Sequence, residues 1–254
     1  MNIVSFLFNE VLYKPLYNLL IVFYNIIPGH DLGIAIIILT ILLRLALHPL
    51  SKKAIRSQRQ LQEIQPEIKA LQEKYKSDPQ KQAAAVMEFY REKKISPMSG
   101  CLPLLIQLPL LIALYQVFLA GLNSDGLVNL YSFVAKPETL SPITMGLVDL
   151  SKNNNFVLAI IAGAAQFLQT KMLMKVNNKN KKAVKKVDNK EEKSFASDFS
   201  ETMNKQMLYV MPFFTIFISV TLPAGLALYW IVTSVFSILE QWLMFKKNAK
   251  EEQN

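Results

Sequence analysis

Cysteine is nearly absent from this chain of 254 residues, which contains only Cys101. A single thiol cannot form a disulfide bond within the chain, and one thiol alone does not make a metal site. We therefore expect Cys101 to pack in an apolar core, and we predict neither a metal nor a cofactor.

Charged residues are also scarce, at 19% of the chain, whereas hydrophobic residues make up 52%. The net charge is nevertheless +9, so the charges must be concentrated between apolar segments. This distribution is not that of a soluble globular protein, and it leaves no room for a large soluble domain. It indicates an all-α integral membrane protein.

Catalytic motifs are missing as well. The sequence has no phosphate-binding glycine loop with a following Lys and Ser/Thr, no zinc-protease His-Glu pattern and no serine-nucleophile elbow. Its two histidines, His30 and His48, lie at the ends of apolar segments, where we expect interfacial polar residues. An intramembrane enzyme is accordingly the least favoured functional class, and we predict no enzymatic activity.

Five apolar segments are candidates for membrane spans. They cover residues 33–50, 101–122, 156–174, 207–222 and 225–245. Lys and Arg number 23 in the segments 51–99, 175–206 and 246–254, against 3 in the segments 1–32 and 123–155. The positive-inside rule places the first group in the cytoplasm and the second outside. Five spans with an external N-terminus and a cytoplasmic C-terminus satisfy this distribution.

The N-terminal segment 1–32 is apolar but interrupted. Polar residues break its apolar runs at Glu10, Lys14, Asn18 and Asn25. Pro15 favours a helix break, which shortens the longest helix that the segment can form. We therefore predict an external amphipathic helix that lies in the membrane interface rather than a sixth span.

Segment 51–99 predicts a cytoplasmic helical hairpin joined at Ser77-Asp78-Pro79, with a kink at Pro66 in its first arm. Apolar residues recur at three- and four-residue spacing at Leu61, Ile64, Ile68, Leu71 and Tyr75, and on the return arm at Val86, Phe89 and Tyr90. The hairpin is either a charged antiparallel coiled coil in solvent or, in addition, a contact surface for lipid headgroups or a client chain. Its pattern fits no DNA-recognition motif, and we predict no DNA binding.

Arg44 is the only charged residue within segment 33–50. A guanidinium at the bilayer centre costs about 2.5–3.5 kcal/mol on insertion scales and cannot lose its proton, so it needs water, polar neighbours or a transient anion. Alternatively, it snorkels to the inner interface or pairs with a buried carboxylate, although no other span has an acidic residue in its middle. Segment 101–122 carries Pro103, Pro109 and Gln107, which favour an interior or cavity-lining helix. Gln107 forms either an interhelical hydrogen bond or part of a polar wall.

Four motifs carry a family resemblance. In chain order they are ILTILLRLALHPL, QPEIKALQEKYKSDPQK, MSGCLPLLIQLPLLIALYQ and LPAGLALYWIVTSVFSILEQ. Together they resemble the YidC family of membrane protein insertases, in its short form without a large external domain. The resemblance implies five transmembrane helices around a hydrophilic groove, open to the cytoplasm and the lipid and closed outside.

The resemblance also implies site residues. Arg44 would lie inside the groove, with Thr40 one helical turn before it, and Gln107 and Trp230 would match family positions on the second and last spans. Gln166 and Gln169 on the third span rank lower, because this region of the family varies. Clients would slide along the second and fourth spans, 101–122 and 207–222.

The implied function is the insertion and folding of newly made membrane proteins in the bacterial cytoplasmic (inner) membrane, with no cofactor. Nascent membrane proteins are the expected partners, and the ribosome and a protein translocation channel are further candidates. The lysine-rich segment 175–206 favours anionic lipid headgroups. The alternative function is a small-solute transporter or channel, since polar intramembrane residues and broken helices also mark transport pathways.

Overall fold

The computed structural model describes residues 3–96, 102–122, 129–137, 140–175 and 206–251. Its elements are α1 (Ile3–Leu7), a π-helical segment (Phe8–Tyr13), α2 (Lys14–Ile26), α3 (Leu32–Ala46), α4 (His48–Glu63), α5 (Gln65–Lys74), α6 (Pro79–Glu92), α7 (Leu102–Leu122), β1 (Ile143–Thr144), β2 (Val148–Asp149), α8 (Phe156–Lys175), a second π-helical segment (Gln206–Val210), α9 (Met211–Thr221) and α10 (Ala224–Glu251). The fold is therefore mostly helical, with one two-stranded antiparallel hairpin.

Three helices in the described part of the chain are long and apolar enough to cross a membrane: Ser5–Ile26, Phe156–Met174 and Ala224–Lys246. Helices α3 and α4 form a fourth candidate if this bent pair is counted as one span. Shorter apolar helices occur at Gln107–Ala120 and Gln206–Thr221. These findings establish a helical membrane protein with three to four candidate spans, and the five-span arrangement stays a prediction.

The N-terminal helix does not break at Pro15, contrary to the expectation from the sequence. Pro15 is the second residue of α2, and the π-helical segment Phe8–Tyr13 directly precedes this helix. A π-helical turn is wider than an α-helical one, so it can accommodate a proline ring that would otherwise clash with the preceding turn. Residues 3–26 are consequently helical throughout. Their placement as an external helix in the membrane interface stays a prediction.

The helix that covers most of the span predicted at 33–50 ends before residue 50. Helix α3 stops at Ala46, and α4 begins at His48 with a bend of 66° between the two axes. Pro49 explains this bend, because proline has no N–H to donate and its ring would clash with the carbonyl of the residue four positions earlier. The bend separates the apolar helix α3 from the polar helix α4.

Helices α4, α5 and α6 form the two arms of the hairpin. The first arm is interrupted at Ile64, two residues before Pro66, and Asp78 caps α6 by accepting a hydrogen bond from Lys81 N at 3.1 Å. Two contacts join the arms: the Gln82 amide donates to Gln72 O at 2.6 Å, and Lys93 Nζ lies 3.0 Å from Glu67 Oε2. The arms are therefore antiparallel.

The apolar core lies where α2, α3, α7 and α10 meet. Its most buried side chains include Tyr17, Leu20 and Ile21 of α2, Ala35, Ile36 and Leu39 of α3, Ala113, Leu114 and Val117 of α7, and Leu226 and Tyr229 of α10. Outward-facing apolar residues are instead exposed, as with Phe213 on α9 at 72%. Extensive exposed apolar surface is typical of helices that face lipid.

Residues 129–137 and 140–155 cover one end of the helix bundle. The Asn18 side chain donates to Asn129 O at 3.1 Å and accepts from Tyr131 N at 2.7 Å, and the Asn25 amide donates to Ala135 O at 2.7 Å. At α10, Gly225 N donates to Leu150 O at 3.1 Å. Two of the polar residues in the N-terminal apolar segment, Asn18 and Asn25, thus anchor this loop.

Several predictions concern residues outside the described ranges. Cys101 and most of the lysine-rich segment, 176–205, belong to this group, as do 97–100, 123–128, 138–139 and 252–254. The packing of the cysteine and the lipid contacts of the lysine-rich segment therefore remain predictions.

Candidate functional site

A cavity of about 520 Å³ lies between α3, α4, α7, α8, α9 and α10. All six residues singled out from the sequence line it: Thr40, Arg44, Gln107, Gln166, Gln169 and Trp230. They come from four helices separated by as many as 190 positions in the chain, since Thr40 and Trp230 lie at the extremes. The structure therefore brings the sequence-derived candidates together at one site.

Helix α3 contributes Thr40 and Arg44, which lie one helical turn apart and so share a face. Thr40 is buried, and its hydroxyl donates to Ile36 O at 2.6 Å. Arg44 is half-buried and lines the cavity. Among the residues that the structure describes, no carboxylate forms an ion pair with its guanidinium.

Gln107 combines the two roles that the sequence left as alternatives. Its amide donates to the Tyr229 hydroxyl of α10 at 2.5 Å, and it also lines the cavity. Gln166 behaves similarly, because its side-chain oxygen accepts a hydrogen bond from the Thr215 hydroxyl of α9. These two contacts position polar side chains from α7 and α8 against the neighbouring helices.

Helix α10 supplies a polar face that the sequence analysis did not identify. Its cavity-lining polar residues are Thr233, Ser234, Ser237, Glu240 and Gln241. The sequence does contain a signal for this face. Its hydroxyl and amide side chains recur every three or four residues within an apolar span, and that spacing places them on one side of a helix. This face continues the line that begins at Trp230.

Ser234 Oγ and Gln241 Oε1 are among the buried atoms on this face that lack a hydrogen-bond partner in the described part of the protein. The residues are only 1% and 2% exposed. Buried polar atoms are nearly always hydrogen-bonded, to protein or to ordered water. Both residues line the cavity, which therefore has hydrogen-bonding capacity that the described part of the chain leaves unused.

Glu240 is the acidic residue that the sequence analysis overlooked, because it lies near the end rather than the middle of its span. It is 5% exposed, and its Oε1 lies 2.5 Å from His48 Nδ1, at the first residue of α4. Its charge also acts on Arg44, which lines the same cavity. His48 is therefore more than an interfacial polar residue, because it links α4 to α10.

Among the residues of the described ranges, no group of three or more His, Cys, Asp or Glu side chains could hold a metal ion. The cavity instead combines one arginine and one glutamate with amide and hydroxyl groups, and apolar side chains such as Leu43, Met211 and Phe214 complete its wall. Such a lining can bind polar or charged peptide groups beside apolar ones.

A family model for the 60Kd inner membrane protein matches residues 22–252. The chain is 32% identical over 219 residues to a membrane protein insertase YidC of Fusobacterium nucleatum, covering 86% of this chain and 88% of that protein. It is 34% identical to the YidC insertase of Francisella philomiragia over 84% of this chain, but spans only 32% of that protein.

A solved structure, the active YidC insertase with its first transmembrane domain resolved, has a TM-score of 0.55 to this chain and 25% sequence identity. The similarity covers 91% of this chain and 45% of that one. The resemblance inferred from the four sequence motifs is thereby confirmed. The chain belongs to the YidC family of membrane protein insertases, a family of bacterial inner membrane proteins.

Proposed function

We propose that this chain inserts newly made membrane proteins by taking their short polar tails through the cavity that contains Arg44. The observation that carries the proposal is a half-buried arginine without an ion pair in the described part of the chain, on a wall of amide and hydroxyl groups. A permanently charged group in such a position is available to a client carboxylate.

The costly step is the movement of the client's polar tail across the membrane, because transfer of the client helix itself into lipid is favourable. Moving unpaired polar groups through hydrocarbon costs several kcal/mol each. A polar cavity shortens the distance over which that cost applies. At an effective dielectric constant of about 20, a carboxylate about 4 Å from Arg44 gains about 4 kcal/mol, which is enough for capture and still permits release.

The membrane potential favours the same movement. With the outside positive, moving one negative charge fully across the bilayer gains about 2.3 kcal/mol per 100 mV. An acidic tail therefore moves outward without nucleotide hydrolysis. The family is one of insertases rather than of enzymes, and the proposal needs no catalytic group.

We further propose the five-span topology with an external N-terminus and a cytoplasmic C-terminus. The lysine and arginine distribution supports this orientation. Residues 129–137 and 140–155 cover the bundle end that would lie outside, whereas the charged hairpin α4–α6 adjoins the other end. The cavity would then be reached from the cytoplasm through the side that α4 borders.

Client helices would pass along α7 and α9. Both helices present exposed apolar side chains, for example Leu108 and Ile112 on α7 and Phe213 and Phe217 on α9. Trp230 lines the same cavity as the arginine. Nascent membrane proteins are the partners in this proposal, with the ribosome, a translocation channel and anionic lipids as additional ones.

The test compares two clients in reconstituted vesicles that differ only in whether the translocated tail carries Asp or Asn. We expect Arg44→Ala to impair insertion of the acidic tail more than that of the neutral tail, and Arg44→Lys to retain part of the difference. Arg56→Ala is the matched control, since Arg56 is exposed on α4 and does not line the cavity. An equal loss for both clients would contradict charge capture.

Photocrosslinking supplies a second measurement. A crosslinker at Thr40 or Trp230 should capture a ribosome-bound nascent chain, whereas one at Val157, which is 69% exposed and outside the cavity lining, should capture mainly lipid. Capture from all three positions with equal yield would count against the cavity as the route. Solute flux without client insertion would favour the transporter or channel alternative, which the comparisons do not favour.

A further inference from the structure

The cavity holds one acidic side chain, Glu240, beside its one basic side chain, Arg44, among the residues of the described lining. Glu240 belongs to α10 and Arg44 to the last turn of α3. The carboxylate is almost completely buried, and its charge acts on the arginine. An acidic client tail that enters the cavity therefore meets an attractive and a repulsive charge in the same space.

His48 determines which way this carboxylate is held. Its Nδ1 lies 2.5 Å from Glu240 Oε1, whereas Arg44 forms no ion pair with Glu240 within the described residues. Residues 44 and 48 are four positions apart, at the two sides of the bend between α3 and α4. Glu240 is thus bound to the His48 imidazole, which follows the bend, rather than to the Arg44 guanidinium, which precedes it.

We infer that Glu240 is a specificity-determining residue that weakens the binding of acidic tails at Arg44, and that His48 positions it. The inference rests on the proposed function, because it concerns the same cavity and the same client carboxylates. A bound carboxylate repels an incoming one through the same Coulomb interaction by which Arg44 attracts it. Glu240 therefore keeps an acidic tail from being held too tightly to be released.

Two pairing arrangements of Glu240 follow from this geometry. With His48 present, Glu240 stays with α4, and Arg44 remains accessible to a client. Without His48, the buried carboxylate loses its hydrogen-bond partner, which is costly, and the nearby guanidinium is the obvious replacement. Arg44 would then be paired within the protein and would bind acidic tails more weakly.

The experiment uses the full chain in vesicles and two synthetic single-helix peptides, one with an Asp-containing tail and one with Asn in its place. A photocrosslinker at residue 40 reports the apparent dissociation constant of each peptide. We expect Glu240→Gln to tighten binding of the acidic tail by about three- to tenfold, which corresponds to about 0.7–1.4 kcal/mol, and to leave binding of the neutral tail unchanged. We expect His48→Gln to weaken binding of the acidic tail and to leave binding of the neutral tail unchanged.

The double variant His48→Gln/Glu240→Gln should bind the acidic tail as tightly as Glu240→Gln alone, because His48 acts only through Glu240. Glu63→Gln is the matched control, since this acid lies on α4, pairs with Arg59 at 2.7 Å and does not line the cavity. If Glu240→Gln does not fold, as judged by its unfolding midpoint, His48→Gln decides the question by its effect on the acidic tail.

An unchanged ratio of acidic to neutral binding in Glu240→Gln and His48→Gln would overturn the inference. Arg44→Ala separates this failure from failure of the proposed function. If Arg44→Ala selectively loses the acidic tail while Glu240→Gln changes nothing, only the role of Glu240 is wrong. If Arg44→Ala binds both tails as the unmodified chain does, charge capture fails and this inference fails with it.

Discussion

Asp31 and Thr144 lie 113 positions apart in the chain, and the Thr144 hydroxyl donates to Asp31 Oδ1 at 2.5 Å. The same carboxylate accepts from Ile34 N at 3.0 Å, as the N-cap of α3, and from Met145 N at 2.6 Å. One side chain therefore begins the helix that carries Arg44 and binds the β-hairpin that lies over one end of the bundle. The stability of this end depends on Asp31.

We expect Asp31→Ala to destabilise the protein by about 1–3 kcal/mol, because it removes both an N-cap and the contacts to the hairpin. The measurement is the thermal unfolding midpoint in detergent. Asp31→Asn is the matched variant, since an amide can still accept at the cap, and it should cost less. Equal destabilisation by both variants would indicate that charge rather than capping is the main contribution.

The pH dependence of this contribution has a defined sign. Burial alone raises the pKa of Asp31, but hydrogen bonds from Met145, Thr144 and Ile34 outweigh it, so the pKa is lowered from 3.8. A carboxyl group with a lowered pKa in the folded state stabilises the protein above its ordinary pKa, and this contribution is lost as the pH falls through the lower value. Unfolding midpoints measured from pH 7 to pH 3 should decline more steeply below pH 4 for the unmodified chain than for Asp31→Asn. Parallel curves would contradict this assignment.

Gly163 permits the close approach of α8 and α9. A Cβ atom at this position would lie 2.3 Å from Ile216 Cγ1 and 3.1 Å from Pro212 O. We therefore expect Gly163→Ala to destabilise the protein by about 1–3 kcal/mol, as overpacking does. Ile216→Ala removes the nearest atoms, so the double variant should be less destabilised than the sum of the single ones. Additive effects in the unfolding midpoints would show that the two residues do not share this contact.

The sequence predicted the site best where a residue type is energetically unfavourable in its surroundings. An arginine within an apolar segment requires polar surroundings, and the structure places Arg44 in a cavity whose lining includes amides and hydroxyls. The family motifs added Thr40, Gln107 and Trp230, which no periodicity would have selected from so many apolar positions. Both arguments led to residues that the fold assembles at one cavity.

The sequence was least informative where backbone geometry or a long-range pair decided the outcome. Pro15 and Pro49 have the same intrinsic effect, yet a π-helical segment accommodates the first, whereas the second accompanies a 66° bend. Glu240 was overlooked because its partner, His48, is 192 positions away and looked like an ordinary interfacial histidine. Local sequence does not encode whether a proline is accommodated by a π-helical segment or accompanies a bend. It does not encode a contact between two distant residues such as Glu240 and His48 either.

The hydrogen bond between Gln107 and Tyr229 provides a test of the cavity wall that is independent of charge. Tyr229→Phe removes the hydroxyl that accepts from the Gln107 amide at 2.5 Å, and Gln107→Leu removes the donor. We expect each single variant to lose about 0.5–1.5 kcal/mol of stability, with Tyr229→Phe near the lower limit because the half-buried amide can turn to water in the cavity. The double variant should lose less than the sum in a double-mutant cycle, measured by thermal unfolding.

Insertion of acidic and neutral tails should fall equally in both variants, since neither changes the charge of the cavity. A selective loss of acidic tails would instead mean that this pair positions the Arg44 guanidinium, which lines the same cavity.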